Sequence, residues 1–326
     1  MDVSLPPGLT AAIDALLESV SRKDLAQRAA GLSAAYRGGG TSAGISDPAD
    51  TLAYLLARLP ATYAAVRAAL AQTAQSMPNF TPQSLLDAGA GPGAASWAGA
   101  ETWPGLAHIT MLDKSAAFRD IAGRLVASGP AALQAADIVA ADIGSAIDHK
   151  ADLVIASYVL AEFPVGSAGV IAAGLWQAAG QMLLLVEPGT PQGFARIRAA
   201  RAALIAAGGH VAAPCTHDAA CPIPESNSAG SPGWCHFSQR LPRSRDHMLA
   251  KGARVPFEDE RYSYIAISRL PVLHGERGRL IAPPRKGAAG FSLVQCDAAG
   301  LQTKIIARRD KASFARARRL GWGDLF

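Results

Sequence analysis

Aromatic residues are scarce in this 326-residue chain, at 6%, and charged residues make up only 17%. About a fifth of the sequence is alanine, so the 50% hydrophobic fraction overstates its greasiness, because alanine buries little area per residue. No apolar run is long enough for a spanning helix. The longest, Val170 to Val186, is broken by Gln177 and Gln181 and ends on Glu187, whereas a span needs roughly 20 apolar residues. No basic n-region precedes the first apolar positions, which alternate with Asp14 and Glu18, so neither a secretory signal nor a membrane partner is expected. Cysteine is sparse too, at four residues, and with no sign of export a disulfide framework is disfavoured. Lacking an Arg-rich leader, this Ala-rich chain is expected in a bacterial cytoplasm.

Charge is unevenly spread. The net +5 conceals an acidic stretch over residues 1–239, with 13 basic and 18 acidic side chains, and a basic tail over 240–326, with 18 basic and 8 acidic. A tail of that sign fits an anionic partner, with nucleic acid the first candidate, or a solvated basic face on an ordinary enzyme.

The first 80 residues have helical periodicity. Leu9, Ile13, Leu16, Leu17 and Val20 form one stripe behind Pro6-Pro7, and Leu52, Leu55, Leu56, Leu59, Tyr63, Val66 and Leu70 form a second behind Ser46-Asp47-Pro48. Gly38-Gly39-Gly40 separates the two. From Leu85 onward short apolar runs alternate with helical stretches: Ser84 to Ala88, Ile109 to Leu112, Asp137 to Ala140, Leu153 to Ser157 and Met182 to Val186. That alternation predicts an α/β fold with a parallel, doubly wound sheet, whose ligands bind beyond the carboxyl ends of the strands.

The first run leads into Asp87-Ala88-Gly89-Ala90-Gly91-Pro92-Gly93. Ala94 and Ser96 break the dinucleotide fingerprint. The string instead resembles motif one of class I methyltransferases that bind S-adenosylmethionine. That resemblance implies a donor loop of Gly89, Ala90, Gly91 and Gly93, with Asp87 facing the methionyl ammonium. Asp113, followed by Lys114, stands after the second run, where a ribose diol is held. Asp142 stands after the third as an adenine contact, and Ser157 ends the fourth. Helix capping is the bland reading of Asp113 and Asp142, and three acids at three successive strand ends weigh against it. The substrate side lacks an N-P-P-Y tetrad, and no general base can be named; Tyr158 and Glu162 flank the expected mouth.

Cys215, Cys221, Cys235 and Cys296 are separated by five, thirteen and sixty residues, without the tight knuckle pairs of structural zinc. Wide spacing suits a cubic iron–sulfur cluster, while zinc stays open and His210, His217 and His236 are further candidate ligands. The strings Ala213-Pro214-Cys215-Thr216-His217-Asp218, Cys221-Pro222, Trp234-Cys235-His236-Phe237-Ser238-Gln239-Arg240 and Phe257-Glu258-Asp259-Glu260-Arg261-Tyr262-Ser263-Tyr264, together with Arg58-Leu59-Pro60-Ala61-Thr62-Tyr63, resemble the Rsm-type methyltransferase-like family.

The family comprises assembly factors of the mitochondrial ribosomal small subunit and bacterial relatives described as predicted rRNA methylases. The resemblance implies a 4Fe-4S cluster on the four cysteines and a partner in small-subunit rRNA or the pre-ribosomal small subunit. Two basic groups would meet that partner: Arg240, Arg243, Arg245, Lys251 and Arg254 beside the cysteines, and Lys304, Arg308, Arg309, Lys311, Arg316, Arg318 and Arg319 near the end.

The expected organisation is a helical region over 1–80, a donor-binding Rossmann-like domain over 81–209, a cluster-binding insertion with the last sheet strands over 210–270, and a basic β extension carrying Cys296 over 271–326. The function expected is a ribosome assembly factor that binds S-adenosylmethionine with or without methyl transfer. The alternatives are an active rRNA methyltransferase and a small-molecule methyltransferase with a structural zinc site.

Overall fold

The computed structural model describes residues 3–18, 20–37, 45, 47–224 and 233–326. The triglycine separator and Ser46 lie outside the described residues. Four helices come first: α1 (Pro7–Leu17), α2 (Arg22–Arg37), α3 (Pro48–Ala57) and α4 (Leu59–Ser76). The Asp47 carboxylate caps α3 by accepting from Ala49 N at 2.7 Å, with Pro48 supplying a first-turn φ that suits the helix. No helix among the described residues is long and apolar enough to cross a membrane.

The main sheet is built from β1 (Ser84–Ala88), β2 (His108–Asp113), β3 (Asp137–Ala140), β4 (Ala151–Ser157), β5 (Ala179–Pro188), β6 (His210–Ala213), β7 (Phe237–Pro242) and β8 (Phe257–Ser268). Between these strands lie α5 (Ala94–Thr102), α6 (Ala116–Val126), the short α7 (Ala131–Gln134), α8 (Ala168–Ala178), α9 (Pro191–Ala206) and α10 (Arg245–Lys251). All five expected strands are present. Met182 to Val186 is fully buried because β5 is central and covered on both faces.

The strand order is β3-β2-β1-β4-β5-β8-β6, with β7 also pairing β8. The five strands expected from the sequence pair in parallel, and a strand the sequence did not mark, β8, runs antiparallel to β5, β6 and β7. Its pairing joins residues 74 apart, such as Pro188 with Tyr262, so no local pattern could reveal its direction. A parallel half-sheet wound on both sides of β1 and β4, followed by a reversed strand inserted beside β5, is a class I methyltransferase-like α/β fold.

One side of β8 is shared. β7 pairs with its first half, Phe257 to Tyr262, and β6 with its end, Ala266 to Ser268. Ser263 to Ile265 face the gap between those partners. A separate antiparallel sheet of β9 (Arg279–Leu280), β10 (Arg285–Lys286), β11 (Gly290–Asp297) and β12 (Gly300–Ala307) closes the chain. The last helix, α11 (Lys311–Ala317), packs on it through Phe314 and Phe291, whose ring centroids are 5.1 Å apart.

Candidate functional site

A cleft of about 2050 Å³ opens beyond the carboxyl ends of the parallel strands. Its floor is the loop after β1. Gly89 N and Ala90 N both donate to Leu112 O, at 2.8 and 2.9 Å, which pins the loop to the end of β2. Gly89 and Gly91 have φ of +74° and +53°, a region that side chains with a Cβ rarely adopt. A Cβ on Gly89 would stand 2.5 Å from Val159 Cγ2, whereas one on Gly91 would meet nothing within 4 Å. Gly89 is thus required by packing, and Gly91 opens on the cleft.

Asp113 ties this loop in place. Its Oδ2 accepts from Gly91 N and its Oδ1 from Ser115 N, each at 2.8 Å. Burial raises its pKa despite those two hydrogen bonds. Asp142 lines the cleft while accepting from Gly144 N at 2.9 Å, and Ser157 lines it at the end of β4. Lys114 pairs with Glu162 at 3.5 Å across the mouth. Gly93, Ala90 and Asp87 are not on the cleft wall. Asp87 is fully buried beneath the loop, where one oxygen accepts from Ser96 N and Oγ at 2.9 and 2.8 Å and so anchors the start of α5. Burial pushes its pKa up to about 7 against those bonds. The cleft side thus brings together Gly89, Gly91, Asp113, Lys114, Asp142 and Ser157 of the expected donor residues.

The opposite wall joins Tyr158, expected at the mouth, to groups that carried no local signal. Tyr158 has φ +62°, a strained value for a bulky residue, and its hydroxyl donates to Glu260 Oε1 at 2.8 Å. The Arg58 guanidinium lies 5.8 Å from the Tyr158 ring centroid, which brings the α3–α4 junction to the mouth. Behind this wall and fully buried, Glu187 near the end of β5 accepts from Leu160 N at 2.8 Å, and burial pushes its pKa up to about 8. In the sequence Glu187 only ended an apolar run, and Glu260 lay in a string notable for its resemblance; neither pattern marked its place here.

Part of the expected basic surface is neutralised. Arg240 forks onto Asp259 with both bonds at 2.8 Å and covers the Phe257 ring. Arg243, His247 and Lys251 converge on Glu258 at 3.3, 3.3 and 2.7 Å. Burial pushes Glu258 up, but hydrogen bonds from His247 and Lys251 outweigh it and hold the carboxyl well below its usual range. In the second group, Arg308, Arg309, Lys311, Arg316, Arg318 and Arg319 are exposed and form no salt bridge among the described residues.

Behind α9 lies a second, much smaller cavity of about 40 Å³, and all four cysteines line it. It occupies the gap left between β6 and β7 along β8. Cys215 follows β6, Cys235 precedes β7 and has its carbonyl held by Ser263 Oγ at 2.7 Å, and Cys296 is carried in by β11. Burial, and then the neighbouring thiols, push Cys235 well up and Cys296 to about 12. Among the described residues no three Cys, His, Asp or Glu side chains close tightly enough around a point to hold one metal ion. Of the histidines, His217 Nε2 comes within 3.9 Å of Cys296 Sγ, His210 is engaged by Asp218 and His236 stacks on Trp234.

The chain is similar to several known proteins. The human mitochondrial ribosome assembly protein METTL17 is 27% identical over 293 residues, covering 84% of this chain and 62% of its own length. A Schizosaccharomyces pombe Rsm22-cox11 tandem protein, also mitochondrial, is 26% identical over 357 residues, covering 94% of this chain and 46% of its own. The chain therefore spans about half to three-fifths of the curated relatives it matches. Among solved structures, magnesium protoporphyrin IX methyltransferase of Synechocystis, with bound donor, matches at 15% identity and TM-score 0.43, covering 81% of this chain and 98% of that one.

The expectation of a bacterial cytoplasm is corrected, because these relatives are mitochondrial proteins. It rested on the first residues of the chain, which carry no information on compartment when the matched relatives are longer. Residues 48–326 match the family described as mitochondrial small ribosomal subunit Rsm22, and the chain belongs to that family.

Proposed function

We propose that this protein is a ribosome assembly factor that binds small-subunit RNA through its basic tail, binds S-adenosylmethionine in the cleft and carries a 4Fe-4S cluster on Cys215, Cys221, Cys235 and Cys296. The observation that carries the reading is the meeting of four cysteines from separate segments around one cavity. Four thiols on one cavity suit a multinuclear group, which takes four thiolate ligands. Such a cluster contributes folding free energy by tying the β6–β7 segments to the C-terminal sheet.

For the donor, Gly91 offers open backbone to the ligand, and Asp113, with lone pairs remaining beyond its two backbone bonds, and Asp142 offer acceptors to ribose and adenine. Bound S-adenosylmethionine supplies an electrophilic methyl group. On the substrate side, Tyr158 is bonded to Glu260 and Glu162 to Lys114, and this favours donor binding without methyl transfer. The four expected regions, 1–80, 81–209, 210–270 and 271–326, become helical cover, donor domain, cluster segment and RNA-facing extension.

Three measurements test this. Protein purified without oxygen is expected to contain iron and acid-labile sulfide and to absorb broadly in the visible. Calorimetry is expected to detect S-adenosylmethionine binding that Gly91→Leu weakens. Immature small-subunit RNA is expected to bind without acquiring a methyl group; incorporation above a donor-free control would move the reading to an active rRNA methyltransferase.

A further inference from the structure

The cysteine cavity carries buried cations beside its thiols. Arg198, Arg201 and Arg279 line it together with the four thiols, and among the described residues no carboxylate lines it. Arg279 is 1% exposed and stands directly opposite Cys296 in the β9–β11 ladder, so the two side chains share a face. Its Nε donates to Pro214 O and its Nη1 to Gly323 O, both at 2.8 Å, while Nη2 has no partner among the described residues. Arg201 is 5% exposed on the face of α9 that carries Phe194 and Ile197. Its Nη2 donates to His217 O and Ala219 O at 2.9 and 2.7 Å, and its Nε has no partner among the described residues. Neither residue forms a salt bridge among the described residues.

Guanidinium stays charged at any ordinary pH, and a buried charge with only carbonyl partners is costly unless an anion faces it. Four neutral thiols do not offset two such cations. Four thiolates on an oxidised cubic cluster do, since the assembly carries a net charge of about −2.

Resting on the cluster reading above, we propose that Arg201 and Arg279 are positioning residues that act as counter-charges to the anionic cluster, donating their spare N–H groups toward its sulfurs. Outer-shell donors and fixed positive charge favour the form with one more electron, so they set the cluster's reduction potential and protect it from oxidative loss.

The test uses the full chain under argon, titrated with dithionite as electron donor and ferricyanide as acceptor while visible absorbance reports the oxidation state. Arg201→Gln and Arg279→Gln are each expected to shift the midpoint to a more negative potential and to bleach faster in air. Arg279→Lys, which keeps the charge but loses the fork, is expected to lie nearer wild type than Arg279→Gln. Should Arg279→Gln fail to accumulate, Arg201→Gln decides alone. Midpoints and bleaching rates equal to wild type in clusters of full iron content overturn this inference and leave the cluster reading intact. Wild-type protein free of iron and sulfide overturns the cluster reading, and this inference with it.

Discussion

The cleft and the cysteine cavity lie on opposite sides of α9 and of the loop that carries Trp234 and Cys235, yet they are built on opposite electrostatic plans. In the cleft Lys114 meets Glu162, Arg243 and Lys251 meet Glu258, and Arg240 meets Asp259 at the rim. In the cavity two buried guanidiniums have, among the described residues, only carbonyls. One region is already neutral and open, suited to a polar ligand that comes and goes. The other is a much smaller volume whose buried cations are suited to an anionic group. Ligand class is thus written in local charge balance more plainly than in shape.

The largest effect that would break this contrast is removal of one ligand. Cys235→Ser is expected to abolish bound iron and to cost several kcal/mol of unfolding free energy, since a permanent group contributes its binding energy to the fold. Metal analysis and chemical denaturation check it; unchanged stability in iron-loaded wild type and variant would put the cavity in the same class as the cleft.

Next comes pH. Glu187 and Asp87 titrate in the fold at about 8 and about 7, above their ordinary 4.5 and 3.8, because burial disfavours their charged forms. The native state therefore holds more protons than the unfolded chain. Stability from these groups is full below about pH 4 and is lost as pH rises through 7 to 8, by several kcal/mol in all. Glu187→Gln, which keeps the acceptor for Leu160 N, is expected to flatten that falling limb in denaturation curves taken from pH 5 to 9.

The glycine loop separates packing from ligand binding. Gly89→Ala forces a Cβ onto Val159 and is expected to destabilise the fold by ~1–3 kcal/mol. Gly91→Ala meets open space, so its cost to stability is expected to be nearer ~1 kcal/mol, with a larger proportional loss in donor affinity. Thermal melts paired with calorimetry compare the two.

The smallest effect concerns RNA. Neutralising Arg308, Arg309 and Lys311 is expected to flatten the dependence of log affinity on log salt, by about 0.7 for each phosphate of single-stranded RNA that no longer meets a cation. Arg240→Gln, already held by Asp259, is expected to leave that slope unchanged.

What was legible in the sequence follows the range of the interactions involved. The strand runs and the glycine loop announce themselves through neighbours, so Ser84 to Ala88 and Asp137 to Ala140 match their strands residue for residue. That the four cysteines line one cavity depends on pairing across β8 and on β11, which no local pattern carries. Asp87 was harder: its position before the loop is local, but its burial beneath α5 depends on packing. Tyr158 and Glu260 meet only because β8 threads between β5 and β6, and Arg58 arrives from the helical region. The first basic group looked available because charge counts do not reveal that Glu258 and Asp259 stand opposite.

The reversed central strand also has a consequence for synthesis. Until Ser268 has left the ribosome, β5 is an edge with unpaired backbone groups, although it carries five fully buried residues from Met182 to Val186. At about 5–20 residues per second, the roughly 80 residues between them keep that apolar edge open for several seconds. An exposed hydrophobic edge is a template for wrong pairing. The nascent chain therefore passes through an aggregation-prone interval that ends only when β8 inserts, and a holding chaperone would act in that interval.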